Sequence, residues 1–133
     1  MRTKLLFIVT AVMEAGAGLA LLVSPALLAA ILIGAPFDTL ADSVVGRVAG
    51  AALLTLGLAC WLARNDEQSR AATGLIVAML LYNVATVLVL AFAAISWRLP
   101  AVGLWPAVVL HALMAVWCLT CLRSNRSKLR EQR

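Results

Sequence analysis

The chain has 133 residues, of which 64% are hydrophobic and 13% charged, with a mean hydropathy of +1.01. A soluble domain of this size has about 45–50% apolar and about 25% charged residues, so too little polar surface remains to cover a water-soluble globule. The formal net charge of +5 gathers at the ends of apolar runs rather than in a patch, which argues against nucleic-acid binding.

The first predicted span covers residues 4–23, behind Arg2 and Lys4, and contains one charge, Glu14. Its start, "MRTKLLFIVTAVMEAGAG", has the layout of a secretory signal, basic then apolar then small. The apolar run continues past Ala15-Gly16-Ala17 to Val23, which predicts a retained helix.

Residues 25–34 follow in "SPALLAAILIGAPFD". Ser24-Pro25 is a helix-start pair, and Gly34 and Pro36 are stop signals. About nine apolar residues between them are too few to cross a bilayer, which takes about 20. A short interfacial or re-entrant helix is expected, either a lid over an outward-facing cavity or an apolar filler. Asp38 or Thr39 then caps a second span, residues 40–63, in which Arg47 is the only charge from Val44 onward.

The third span, residues 71–96, carries no charge, nor does the fourth, residues 100–122, with His111 near its middle. A basic tail, residues 123–133, closes the chain. Backbone in lipid must satisfy its own hydrogen bonds, so helices or a closed barrel are the options. Barrel strands alternate in polarity over about ten residues, whereas these runs are longer and apolar on all sides. Four crossings nearly exhaust the length. The predicted fold is an all-α membrane protein, a single transmembrane domain of four spanning helices with the short helix between the first two.

Basic residues favour the cytoplasmic side of short loops. Arg2, Lys4, Arg64, Arg70, Arg123, Arg126, Lys128, Arg130 and Arg133 lie on one side, against Arg98 on the other. Both termini are therefore expected in the cytoplasm, of a bacterial plasma (inner) membrane. The tail would meet anionic lipid headgroups, at about 1 kcal/mol per basic residue near the surface. Trp97 and Trp105 on the outer side, and Trp61 and Trp117 on the inner side, predict two aromatic belts.

A helix rises about 1.5 Å per residue. Counted from the inner interface, Glu14 lies roughly 15 Å up, His111 roughly 18 Å, Asn83 roughly 20 Å and Arg47 about 25 Å. Glu14, Asn83 and His111 thus share a level near the midplane, with Thr10, Tyr82 and Thr86 near enough to join. Intramembrane ionisable residues point inward or to water, so Glu14 is expected to face His111 and Asn83, with Arg47 above. There it is either protonated, or ionised and paired with Arg47 or protonated His111. Side chains lean toward a helix N-terminus, which draws Glu14 and Arg47 apart and calls for a bridging water. The cluster of Glu14, Arg47, Tyr82, Asn83 and His111 is read either as a clasp that fixes packing or as a ligand-binding or proton-exchange site.

Small residues predict close helix packing: Gly46, Gly50 and Gly57 in the second span, Gly16 and Ala20 in the first, and Gly74, Ala78 and Ala85 in the third. The Gly46/Gly50 face serves packing within the chain or a homodimer. Cys60, Cys118 and Cys121 share a level near the cytoplasmic surface. They are weak metal or redox candidates, since a fourth ligand is missing and His111 lies roughly 10 Å away along the axis. One histidine excludes a bis-histidine haem site within one chain, and no phosphate loop or zinc-helix motif occurs. No cofactor is expected, and whether the chain is an enzyme is left open.

The segments "MEAGAGLALL", "GRVAGAALLTLG", "LLYNVAT" and "LWPAVVLHALMAVW" together resemble small four-helix bacterial inner-membrane proteins, loosely of the DoxX-like architecture, over most of the chain. That group is associated with thiosulfate–quinone redox chemistry. No residue here matches a defined role in it, so the resemblance implies the architecture alone. Three function classes follow: an accessory or structural membrane protein, alone or in a homodimer or larger membrane complex; a small proton-linked carrier or ligand-binding protein; and an intramembrane quinone or redox protein using His111, Tyr82 and the cysteines.

Overall fold

The computed structural model of the protein describes residues 2–35, 37–66, 69–97, 99 and 101–131, with side chains through Ser124. Pro36, Arg98, Pro100 and Arg133, which entered the expectations above, lie outside the described residues, as do the side chains of Arg126, Lys128 and Arg130. The helices are α1 (Arg2–Val23), α2 (Pro25–Ile33), α3 (Leu40–Ala63), α4 (Arg70–Ser96) and α5 (Leu104–Glu131). No strand occurs among the described residues. α1, α3, α4 and α5 are each long and apolar enough to cross a membrane, which makes the chain a multi-pass membrane protein.

The helix ends have local causes. Pro25, which has no N–H to leave unpaired, opens α2, and Gly34 closes it in the left-handed region at φ 77°, its N–H bonded to the Ala30 carbonyl. The Ser24 side chain makes no cap bond. Thr39 caps α3: its Oγ1 accepts from the Asp42 N–H at 3.1 Å, and the Asp42 carboxylate accepts from the Thr39 N–H at 3.2 Å. This reciprocal box satisfies two donors that the first turn would otherwise leave orphaned. Ser69 caps α4 through the Ala72 N–H at 3.0 Å.

α5 differs from the expected fourth span at both ends. It starts at Leu104 rather than residue 100, because the Gly103 N–H is bonded to the Ile31 carbonyl of α2 at 3.0 Å. It also runs beyond residue 122 to Glu131, so the basic segment continues the helix. Residues 123–131 contain no Gly or Pro and several Arg, Lys, Leu and Glu residues, which favour helix.

α1 packs along α3, and α4 along α5, whereas the backbone of α4 approaches neither α1 nor α3 closely. The α1/α3 pair is antiparallel and meets backbone to backbone. A Cβ on Gly18 would stand 2.7 Å from the Gly50 carbonyl oxygen, and one on Gly57 would stand 2.9 Å from the Ala15 nitrogen. Small residues allow such an approach, and the resulting van der Waals contact replaces the hydrophobic drive that lipid does not supply. The face expected at Gly16 and Ala20 is instead exposed, with nothing within 4 Å of a Cβ on Gly16. Gly18 holds the contact because each residue turns the helix by about 100°. Gly74, Ala78 and Ala85 likewise face outward.

The tightest core lies at the end of the bundle that holds the chain termini. There Leu6, Phe7, Cys60, Ile76, Met79 and Cys118, from all four spanning helices, are fully buried. At the other end α2 fills the space between the pairs. Pro25 and Ala29 are buried, a Cβ on Gly46 would stand 2.9 Å from the Pro25 Cβ, and the Gly103–Ile31 bond ties α2 to α5. α2 is in contact with α1, α3 and α5.

Candidate functional site

The site begins on α1. Its buried stripe is Thr3, Leu6, Phe7, Thr10, Ala11, Glu14 and Gly18, a spacing of three and four residues that keeps one face inward. Glu14 is 5% exposed, directed into the bundle and away from lipid. Its partner comes from α4: the Tyr82 hydroxyl donates to Glu14 Oε2 at 3.3 Å. No lysine or arginine pairs with Glu14 among the described residues.

Asn83, next to Tyr82, is 2% exposed. Its Nδ2 donates to the Met79 carbonyl one turn back at 2.8 Å. That bond fixes which end of the amide is which, leaving Oδ1 as the acceptor that faces His111 Nδ1 at 2.8 Å. His111 therefore carries its proton on Nδ1, and in the neutral ring Nε2 keeps the lone pair. The Tyr82 and His111 rings meet edge to face, centroids 5.6 Å apart at 84°. The chain of contacts runs from Glu14 through Tyr82 to His111 and Asn83, crossing α1, α4 and α5.

Of the site residues predicted from sequence, the structure brings together Glu14, Tyr82, Asn83 and His111. Arg47 is not among them. It is exposed on α3 and makes no ion pair with a described acid. The buried stripe of α3 is Gly46, Gly50, Gly57 and Cys60, and one residue past Gly46 the helix has turned by about 100°. Thr86 stays near but bonds its own helix, Oγ1 donating to the Tyr82 carbonyl at 2.9 Å. Thr10 is 1% exposed, and its hydroxyl has no partner.

Met79 was not singled out from the sequence. It accepts from Asn83 through its carbonyl, and from the Cys60 thiol through its sulfur at 3.5 Å. The four-residue spacing of Met79 and Asn83 was the available signal, because a polar side chain inside a helix often bonds the carbonyl one turn back. Cys60, Cys118 and Cys121 are buried thiols within the apolar core. No three His, Cys, Asp or Glu side chains converge as a metal set among the described residues.

Among the clefts on the surface of the described residues, two lie against spanning helices. One, of about 230 Å³, is lined by Tyr82, Ala85, Thr86, Val89 and Leu90 of α4. The other, of about 330 Å³, runs between α1 and α3 along Ala11, Ala15, Leu54, Gly57, Leu58 and Trp61. At the Trp61 end, the Arg64 guanidinium sits 4.0 Å above the indole ring, a cation–π contact of the kind that suits a membrane interface.

No family model, curated protein or solved structure matches this chain.

Proposed function

We propose that this is a small integral membrane protein of accessory or structural type, with a buried polar cluster that clasps the α4/α5 pair to the α1/α3 pair. The observation that carries this reading is the Tyr82–Glu14 bond, which joins two helices whose backbones do not pack closely. An apolar seam in lipid specifies register weakly. One buried polar pair selects a single register at a gain of about 0.6–2 kcal/mol per hydrogen bond. The test is Glu14→Gln, read by thermal unfolding and by oligomeric state in detergent. A lowered melting temperature supports the clasp, whereas an unchanged melting temperature with loss of a transport phenotype sinks it.

The basic residues support a bacterial plasma membrane with both termini inside and the tail against anionic lipid. An impermeant maleimide added to intact cells should then modify Ser24→Cys and spare Ser69→Cys. The native thiols are buried and give little background.

A second reading, a proton-linked carrier or ligand-binding protein, is favoured by one observation. Tyr82, the partner of Glu14, also lines the cleft of about 230 Å³ on α4. A small amphipathic solute entering there would meet a phenol connected to a buried acid, with the His111 lone pair beside it.

A further inference from the structure

Thr10 sets the starting point. A threonine inside a helix ordinarily turns its hydroxyl onto a carbonyl three or four residues back. Thr55 bonds Ala52 at 2.8 Å, Thr73 bonds Ser69 at 3.1 Å, Thr86 bonds Tyr82 at 2.9 Å and Thr120 bonds Trp117 at 2.7 Å. Thr10 differs, forming no such bond to a carbonyl of its own helix. Its hydroxyl is sealed in the bundle with no partner at all. Leaving such a group unpaired costs about 1–3 kcal/mol, so a buried orphan calls for a ligand.

Two further observations point to the same place. Glu14 lies one helical turn from Thr10 on the same buried face, and no cation of the described chain balances it. The Tyr82–Glu14 separation of 3.3 Å is longer than the roughly 2.5–3.0 Å of an ordinary O–H···O bond. Two oxygens at that spacing suit a shared ion. Sodium has nearly the radius of calcium, which sits about 2.3–2.6 Å from its oxygens, and at such distances the two oxygens subtend roughly a right angle.

We propose that Thr10 Oγ1, the Glu14 carboxylate and Tyr82 Oη form a binding site for a sodium ion inside the bundle. The charge decides the class of ligand. One carboxylate and two neutral hydroxyls balance a single positive charge, and a low-dielectric interior penalises any excess. This rests on the reading of Glu14 as a buried clasp and adds the occupant that completes it. With the ion bound, Glu14 is neutralised without Arg47, and the Thr10 hydroxyl oxygen is satisfied as a ligand.

The test uses the purified full-length protein in detergent, in sodium chloride or in choline chloride of equal ionic strength. Dicyclohexylcarbodiimide, which couples to acids in apolar surroundings, reports on Glu14 by peptide mass. Sodium at about ten times its Kd should slow this labelling about tenfold and raise the melting temperature relative to choline. Thr10→Val should label equally fast in both salts, while Thr10→Ser, which keeps the oxygen, should keep the protection. Equal labelling of the wild type in the two salts overturns the proposal, and so does protection that survives in Thr10→Val. Should Thr10→Val fail to fold, the wild-type comparison and Thr10→Ser still decide. The clasp is judged separately, since a drop in the melting temperature of Glu14→Gln in choline supports it whatever sodium does.

Discussion

α1 meets α3 through backbone, and α4 meets α5 through side chains. In the first pair the carbonyl of Gly50 occupies the space a Gly18 side chain would need. In the second, Asn83 and His111 reach across at 2.8 Å. At Gly18 and Gly50 the first interface has no room for another atom, although a cleft of about 330 Å³ opens farther along it, between Ala11 and Trp61. The second is wider, and polar groups gather where it faces α1. In lipid, then, close packing and chemistry occupy different seams. Backbone contact gives α1 and α3 a rigid platform, and Glu14 projects from that platform toward the looser pair.

The largest expected effect comes from filling the tight seam. Gly18→Leu should destabilise at or beyond the top of the ~1–3 kcal/mol that overpacking usually costs, measured by thermal unfolding in detergent. A variant melting like the wild type would show that α1 and α3 do not meet at this residue. Next is Asn83→Leu, which removes the bonds to His111 and Met79 and leaves the Nδ1–H of His111 unpaired. It should lose about 1–2 kcal/mol, and Asn83→Gln should not rescue it, because the longer side chain cannot make both bonds from one rotamer. Tyr82→Phe removes the hydroxyl that bonds Glu14 and, in choline chloride, should cost about 0.6 kcal/mol. No measurable loss would mean that the Tyr82–Glu14 bond does not clasp the two pairs. Gly16→Ala should do least. It lies two residues from Gly18 but has nothing within 4 Å of its added Cβ, so a neutral result or a gain of about 0.5 kcal/mol is expected from the better helix former. The contrast between Gly16→Ala and Gly18→Leu, each read in the same assay, separates the exposed face of α1 from the packed one.

Much of the architecture was legible before the structure. The apolar runs and the spacing of charges mark four spanning helices, because backbone in lipid has few ways to satisfy itself. Ser24-Pro25 and Gly34 bracket α2, and Thr39 with Asp42 three residues on marks the start of α3. These are local signals, settled by neighbouring residues. The site was legible in height. Counting residues along each helix places Glu14, Asn83 and His111 near one level, and the Asn83–His111 bond crosses between helices there.

Direction around each helix was not legible. Each spanning segment is apolar on nearly every side, so no amphipathic stripe distinguishes the face toward lipid from the face toward protein. That is why Arg47 lies outside the cluster, why Gly18 rather than Gly16 meets Gly50, and why Gly74 and Ala85 face outward. It is also why Tyr82, one of several polar residues near the midplane, is the one that reaches Glu14. The sequence by itself determined that four helices are long and apolar enough to span, where α2 and α3 begin, and the relative height of Glu14, Asn83 and His111, because rise per residue is set by covalent geometry. Only the tertiary structure decided which residues meet, because a shift of one residue turns a helix by about 100°, and only contact with another helix selects among those turns.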